Sequence, residues 1–214
     1  MRRAGTRGVL AAAAVMVVLM VGACSSGTDE IAGATTTLPP EEIGPPVVFV
    51  AVGGDETIGY GVADGLRDSW TQLVFREHLP RRSVHLNVAS SGATVADALA
   101  LQVPLALEVA PTLVTVWLAG ADAAQATPVA AYERDLEQVV RQLQGDGSTR
   151  VVVAVGPPIV AGSGDTEPYD DAAERVAGLT GAGLVDLSAV DPAFGIDAHE
   201  VVASAVANAL AAPR

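Results

Sequence analysis

The sequence lacks lysine entirely: its 12 basic side chains, histidine aside, are all arginines. A P-loop needs a lysine on the nucleotide phosphates and a Schiff-base enzyme needs a lysine amine, so both classes are excluded. Cysteine is almost absent as well, since Cys24 is the only one in 214 residues. A single cysteine excludes an intramolecular disulfide, a redox thiol pair and a cysteine-bound zinc ion. The sequence indicates no cofactor.

Positive charge is scarce compared with negative charge. The 25 acidic residues outnumber the basic ones and give a formal net charge of −13. Binding of nucleic acid depends on cationic side chains that neutralise phosphates, so nucleic acid is not an expected partner. The same charge gives no long-range attraction to an anionic bilayer. Any attachment to a membrane must therefore come from a lipid.

The N-terminus has the pattern of an export signal. Three arginines at positions 2, 3 and 7 precede an apolar run over residues 9–21, which is shorter than the roughly 20 residues of a membrane-spanning helix. The run ends in Val21-Gly22-Ala23-Cys24, which resembles a bacterial lipobox. That resemblance implies a signal peptide over residues 1–23, a lipid on Cys24 and a protein exported to the outer face of the bacterial cytoplasmic membrane. The arginine pair favours the twin-arginine route, whereas the lack of the apolar pair expected after it favours general secretion.

Residues 24–46 are rich in Ser, Thr, Gly, Pro and acids and have few apolar side chains. Such a segment buries too little surface to offset its ordering entropy, so it is predicted to be a lipidated flexible tether. The remaining residues, 47–214, have the length of one domain with one sizeable core.

Strand-like apolar runs alternate with helical patterns along this domain. The predicted strands are 47–52, 84–89, 113–118, 151–155 and 184–187, and the predicted helices are 63–78, 95–109, 128–144, 171–179 and 197–210. Pro104 is expected to break the second helix. Continuous apolar strands separated by helices indicate an α/β fold: a three-layer α/β/α sandwich with a five-stranded parallel sheet in flavodoxin-like order. Ligand sites of such sheets lie beyond the carboxyl ends of the strands, so the turns after the strands are the candidate site.

Four short blocks occupy four of these turns, and the last of them comes just before the closing helix. They are Gly54-Asp55-Glu56-Thr57, Asn87-Val88-Ala89-Ser90-Ser91-Gly92-Ala93-Thr94, Ala119-Gly120-Ala121-Asp122 and Asp191-Pro192-Ala193-Phe194. In this order they resemble the blocks of the SGNH/GDSL hydrolases, and the resemblance covers nearly the whole domain. It implies the SGNH hydrolase fold.

The resemblance also implies that most of the family's catalytic groups are replaced. Glu56 stands at the place of the nucleophilic serine, Ala121 at that of the asparagine oxyanion donor and Phe194 at that of the histidine base. Gly92 retains the oxyanion-hole glycine, and Asp191 retains the aspartate before the histidine.

These replacements remove the chemistry of acyl transfer. A carboxylate at the nucleophile position adds repulsion of about 4 kcal/mol at 4 Å and an effective dielectric of 20, next to the place where negative charge develops. Loss of one oxyanion donor typically costs another ~3–4 kcal/mol. Phenylalanine accepts no proton. The usual esterase mechanism is therefore predicted to be lost.

The predicted pocket consists of Asp55, Glu56, Ser91, Gly92, Asp122 and Asp191. Oxygen ligands of this kind suit Ca²⁺ or Mg²⁺, but hydrogen bonds to loop amides account for the same carboxylates, and no metal site is predicted.

Two functions are consistent with these patterns. The favoured one is a pseudoenzyme: a membrane-anchored envelope lipoprotein that binds or scaffolds an unidentified envelope ligand or protein. The alternative is a divergent esterase or acyl hydrolase acting on envelope lipids or acylated glycans. It would use His199, in a competing register, as the base and Ser90 or Ser91 as the nucleophile.

Overall fold

The computed structural model describes residues 45–157, 164–190 and 195–211. Its centre is a sheet of five parallel strands in the order β2-β1-β3-β4-β5. The strands are β1 (Val48–Gly53), β2 (Val84–Asn87), β3 (Leu113–Trp117), β4 (Arg150–Val155) and β5 (Gly183–Asp186). This is the flavodoxin-like order, so the predicted sheet and its topology are confirmed.

Successive side chains of the central strands enter two separate cores, one on each face of the sheet. Val50 and Val52 of β1 pack in the first core, whereas Phe49 and Ala51 pack in the second. Because both faces are buried, these strands are continuously apolar rather than alternating.

Nine α-helical segments are present in the described residues. They are α1 (Asp55–Ile58), α2 (Gly65–Asp68), α3 (Trp70–Leu73), α4 (Val95–Asp97), α5 (Val103–Glu108), α6 (Gly120–Ala124), α7 (Val129–Gln144), α8 (Glu167–Thr180) and α9 (Ile196–Ala211). Two π-helical turns, Val74–His78 and Ala98–Gln102, extend α3 and join α4 to α5. Helices α4, α5, α7 and α8 cover the first core, and α3 and α9 cover the second. No helix within the described residues has the length and apolar character needed to cross a membrane.

Two of the predicted helices differ from expectation. The helix predicted over 63–78 is interrupted at Ser69, whose backbone is extended (φ −66°, ψ 149°). The helix predicted to break at Pro104 is instead continuous, because the π-helical turn ends just before it. The Val103 amide donates to the Ala98 carbonyl at the end of the π-helical turn, and Pro104, which has no amide hydrogen, follows as the second residue of α5.

His85 of β2 lies between two aromatic rings. Its ring centroid is 4.9 Å from that of Phe49 and 5.6 Å from that of Phe75. Burial lowers the pKa of His85 from its ordinary value to about 4. The folded protein therefore holds a neutral imidazole here, whereas the unfolded chain titrates near pH 6.5.

His85→Phe is expected to flatten the dependence of stability on pH. A lowered folded pKa means that the histidine's contribution is complete above about pH 6.5 and is lost as the pH falls toward 4. Phenylalanine cannot titrate and suits the aromatic stack. Between about pH 7 and pH 4.5, the variant should lose about 1–2 kcal/mol less unfolding free energy than the parent, as measured by urea denaturation. Equal losses of unfolding free energy in the parent and the variant would contradict the lowered pKa of His85.

Candidate functional site

The turn after β1 places Glu56 in the first turn of α1 and buries it. Only 6% of Glu56 is exposed, and its backbone carbonyl accepts a hydrogen bond of 3.0 Å from Nε1 of Trp70. The N-terminal turn of a helix favours a carboxylate, so the position stabilises the glutamate electrostatically.

Asp55 joins the turn after β1 to the turn after β2. One carboxylate oxygen accepts a hydrogen bond of 2.5 Å from the Ser91 hydroxyl, and the other accepts one of 3.0 Å from the backbone amide of Gly92. Gly92 has φ +68°, a conformation that favours glycine. The amide that the family resemblance assigns to an oxyanion hole therefore donates to a carboxylate of the protein itself.

A buried amide that the sequence gave no reason to select holds the end of β1. Oε1 of Gln102 accepts a hydrogen bond of 2.9 Å from the Gly53 amide, and its Nε2 donates one of 3.0 Å to the Gly53 carbonyl. The same Nε2 lies 3.3 Å from the Ser90 hydroxyl oxygen, so this serine also takes part in the hydrogen bonding around Gln102. The neighbours of Gln102 in sequence, Leu101 and Val103, are apolar and give no indication of such a role. The one available indication was that Gln102 lies in the helix that follows the second block.

Asp122 does not line the pocket, although the sequence predicted that it would. It is fully buried, and its Oδ2 accepts a hydrogen bond of 2.8 Å from the Val95 amide, the first residue of α4. Burial raises the pKa of Asp122, and the bond from Val95 opposes that rise. The carboxylate holds the N-terminus of α4 against the turn after β3 and is not open to a ligand.

Ala119, at the start of the same turn, has a backbone that favours glycine. Its φ is +126° and ψ is −40°, and the residue is buried. Such conformations cost about 1–3 kcal/mol for a residue with a side chain. Ala121 follows in α6, where its methyl group offers no hydrogen-bond donor.

His199 is buried and both of its ring nitrogens have backbone partners. Nδ1 accepts a hydrogen bond of 3.0 Å from the Trp70 amide, so the proton lies on Nε2, which is 3.0 Å from the Tyr60 carbonyl oxygen. Burial lowers the pKa of His199. The imidazole thus satisfies the first amide of α3, and its lone pair is already engaged.

A further titratable group contacts the turn after β4. Oδ1 of Asp170 in α8 lies 3.4 Å from the Gly156 amide nitrogen, and burial raises the pKa of Asp170 to about 6.

Asp191 and Phe194 lie outside the described residues, as does Cys24. Within the part of the chain that the structure describes, no three histidine, cysteine, aspartate or glutamate side chains group closely enough to hold a metal ion.

The sheet order, with the first three blocks in the turns after β1, β2 and β3, defines an α/β/α sandwich of the SGNH hydrolase class. The family model of the GDSL-like lipase/acylhydrolase family matches residues 51–204. The chain belongs to this family. A search of curated proteins finds no match.

Solved structures share the fold at low sequence identity. A lipolytic protein of the G-D-S-L family from Desulfitobacterium hafniense superposes with a TM-score of 0.65 and 13% identity, over 76% of this chain and 99% of that one. An acetylxylan esterase from Geobacillus stearothermophilus gives a TM-score of 0.65 and 16% identity, over 80% and 97%. The psychrotrophic esterase EstA from a Pseudoalteromonas species gives a TM-score of 0.62 and 16% identity, over 77% and 96%.

Proposed function

We propose that this protein is a non-catalytic member of its family, which uses the hydrolase scaffold to bind an envelope ligand or protein. The observation that carries the proposal is the buried carboxylate of Glu56 at the place where the family resemblance puts the nucleophilic hydroxyl. A carboxylate at this place is a weak nucleophile, and it repels the negative charge of a tetrahedral intermediate.

The oxyanion site supports the same proposal. The Gly92 amide donates to Asp55, so a developing oxyanion would have to displace a carboxylate to reach it. Ala121 supplies no second side-chain donor. Stabilisation of the oxyanion is usually the largest single contribution to acyl transfer, and here both of its expected sources are missing or occupied.

The divergent-esterase alternative lacks a base. General-base catalysis needs a free lone pair within hydrogen-bond reach of the nucleophile's proton, and the lone pair of His199 accepts the Trp70 amide instead. The Ser91 hydroxyl donates to Asp55, a carboxylate without an intervening imidazole. A serine in that setting is a poor nucleophile near neutral pH.

The test is ester hydrolysis by the purified chain. With short-chain p-nitrophenyl esters, turnover should equal that of a Ser91→Ala variant, and both should equal the background rate. Turnover in the parent that Ser91→Ala removes would establish a working hydrolase and overturn the proposal. Ser91 is exposed, so the variant is expected to fold.

We also propose that the domain is exported and held at the outer face of the bacterial cytoplasmic membrane by a lipid on Cys24. The lipobox-like sequence and the absence of any other cysteine support the assignment. One acyl chain alone binds a membrane reversibly, so stable attachment requires a residue modified with two or more chains. The strongly negative chain gains no electrostatic help from anionic lipids.

Cys24→Ala should move the protein out of the membrane fraction or leave its signal peptide uncleaved. Without the thiol there is no atom on which to place the lipid. The measurement is the distribution of the chain between membrane and soluble fractions, with Ser25→Ala as a control that keeps the thiol. A Cys24→Ala chain that is cleaved normally yet stays with the membrane would refute the anchor.

A further inference from the structure

Four exposed apolar side chains lie around one loop beside the candidate site. We call them the Leu66 patch: Ile58, Tyr60, Leu66 and Ile196. Their exposed fractions are 37%, 47%, 86% and 43%. Single exposed apolar residues are ordinary, whereas a group of them on neighbouring segments marks a binding surface.

The contacts of the loop bring the members of the patch together. The backbone carbonyl of Ile58 lies so close to Gly65 that a Cβ built there would be 2.7 Å from its oxygen, so Ile58 and Leu66 stand on neighbouring segments. The Tyr60 carbonyl oxygen is 3.0 Å from Nε2 of His199, which is one helical turn after Ile196 in α9. This bond holds the segment that carries Tyr60 next to the start of α9, which carries Ile196.

The loop is fixed in place before any partner arrives. Asp64 caps α2 through a hydrogen bond of 3.1 Å from the Leu66 amide. Gly59 has φ +97° and ends α1 in a left-handed turn. A surface that is already ordered loses little conformational entropy on binding, so its apolar area contributes to affinity directly.

Negative charges outnumber positive charges around the patch. Residues 55–68 and 195–201 include six acidic residues, of which Glu56 is buried, and one arginine, Arg67, which is paired with Asp68 at 2.8 Å; Arg76 also lies near Asp68. Asp64, Asp197 and Glu200 are exposed. An anionic lipid surface is repelled by such a rim, whereas a cationic apolar segment is attracted to it.

From this juxtaposition we infer that the Leu66 patch docks a basic amphipathic segment of a partner protein. The apolar face of the segment would cover Leu66 and Tyr60, and its lysines or arginines would meet the acidic rim. This inference rests on the proposed function as a binding module, because it names the kind of partner that the module takes.

The probe is a labelled helical peptide of about five turns, with leucine along one face and lysine on the other. Its binding to the purified full chain is followed by fluorescence anisotropy. Leu66→Ser and Tyr60→Ser should each raise the Kd at least tenfold, because each removes most of one apolar contact without changing the net charge. Leu179→Ser is the matched control: Leu179 is 64% exposed on α8, outside the patch, and its loss should leave the Kd unchanged.

A second peptide, with glutamate in place of lysine and the same leucine face, should bind at least tenfold more weakly. Equal binding to the parent, Leu66→Ser and Leu179→Ser chains would mean unspecific charge attraction and overturn the inference. Zwitterionic vesicles that retain the parent but not the Leu66→Ser chain would make the patch a membrane contact and overturn it too. Neither result concerns ester turnover, so a failed docking site and a failed pseudoenzyme assignment remain distinguishable.

Discussion

Gly53→Ala is expected to destabilise the fold by about 3 kcal/mol or more, which is an unusually large effect for one added methyl group. A Cβ at Gly53 would lie 2.7 Å from the backbone carbonyl oxygen of Trp117. Gly53 and Trp117 are paired residues of β1 and β3, so neither can move away without breaking the sheet. The Gln102 amide also holds both backbone groups of Gly53 and resists any shift. Urea denaturation measures the loss.

Gly178→Ala is the control with the same chemical change. Gly178 is exposed in α8, and a Cβ built there meets no atom within 4 Å. Alanine is a better helix former than glycine by about 1 kcal/mol, so this variant should be more stable than the parent. The two substitutions should therefore shift the midpoint of urea denaturation in opposite directions. A Gly53→Ala chain as stable as the parent would show that β1 and β3 separate more easily than their pairing implies.

His199→Ala is expected to cost about 3–5 kcal/mol of unfolding free energy and to leave ester turnover at background. The substitution opens a cavity under α9 and leaves the Trp70 amide, a buried group at the start of α3, without its acceptor. The loss should thus be a loss of structure. A residue acting as a base would show the reverse pattern, with stability retained and turnover abolished.

His199→Asn refines this expectation. The Asn side-chain oxygen can accept the Trp70 amide in place of Nδ1, but the shorter side chain does not reach the Tyr60 carbonyl. Its stability should fall between those of the parent and His199→Ala. If the asparagine variant were no better than alanine, the bond to Trp70 would not be what makes His199 structural.

The sequence was sufficient to predict the fold because the fold depends on patterns that persist over many residues. The five apolar runs are continuous because both faces of the sheet are buried, and the amphipathic α7 is long enough for its helical period to show in the sequence. Helices α1 and α6 have four and five residues and were not predicted. Segments this short show no periodic pattern in the sequence. They form because of the tertiary contacts of the turns after β1 and β3.

The candidate site was predictable only in outline. The order of the blocks brought the turns after β1 and β2 together, and Asp55 does join them. Whether a carboxylate faces a pocket or is buried depends on tertiary contacts, so sequence order alone could not place Asp122 beneath the surface. The two hydrogen bonds that make His199 structural come from residues 129 and 139 positions away in the chain, and no local pattern encodes them.

The π-helical turn before Pro104 has a consequence for how the chain compares with its relatives residue by residue. Such a turn holds one residue more than an ordinary helical turn and rotates everything before it by about 100° relative to everything after it. In the stretch from Val95 to Glu108, Gln102 is the last residue of this turn, and its side chain holds Gly53. An alignment with a relative whose helix is regular must therefore open a one-residue gap within 98–102. A natural deletion there would straighten the helix and release the end of β1.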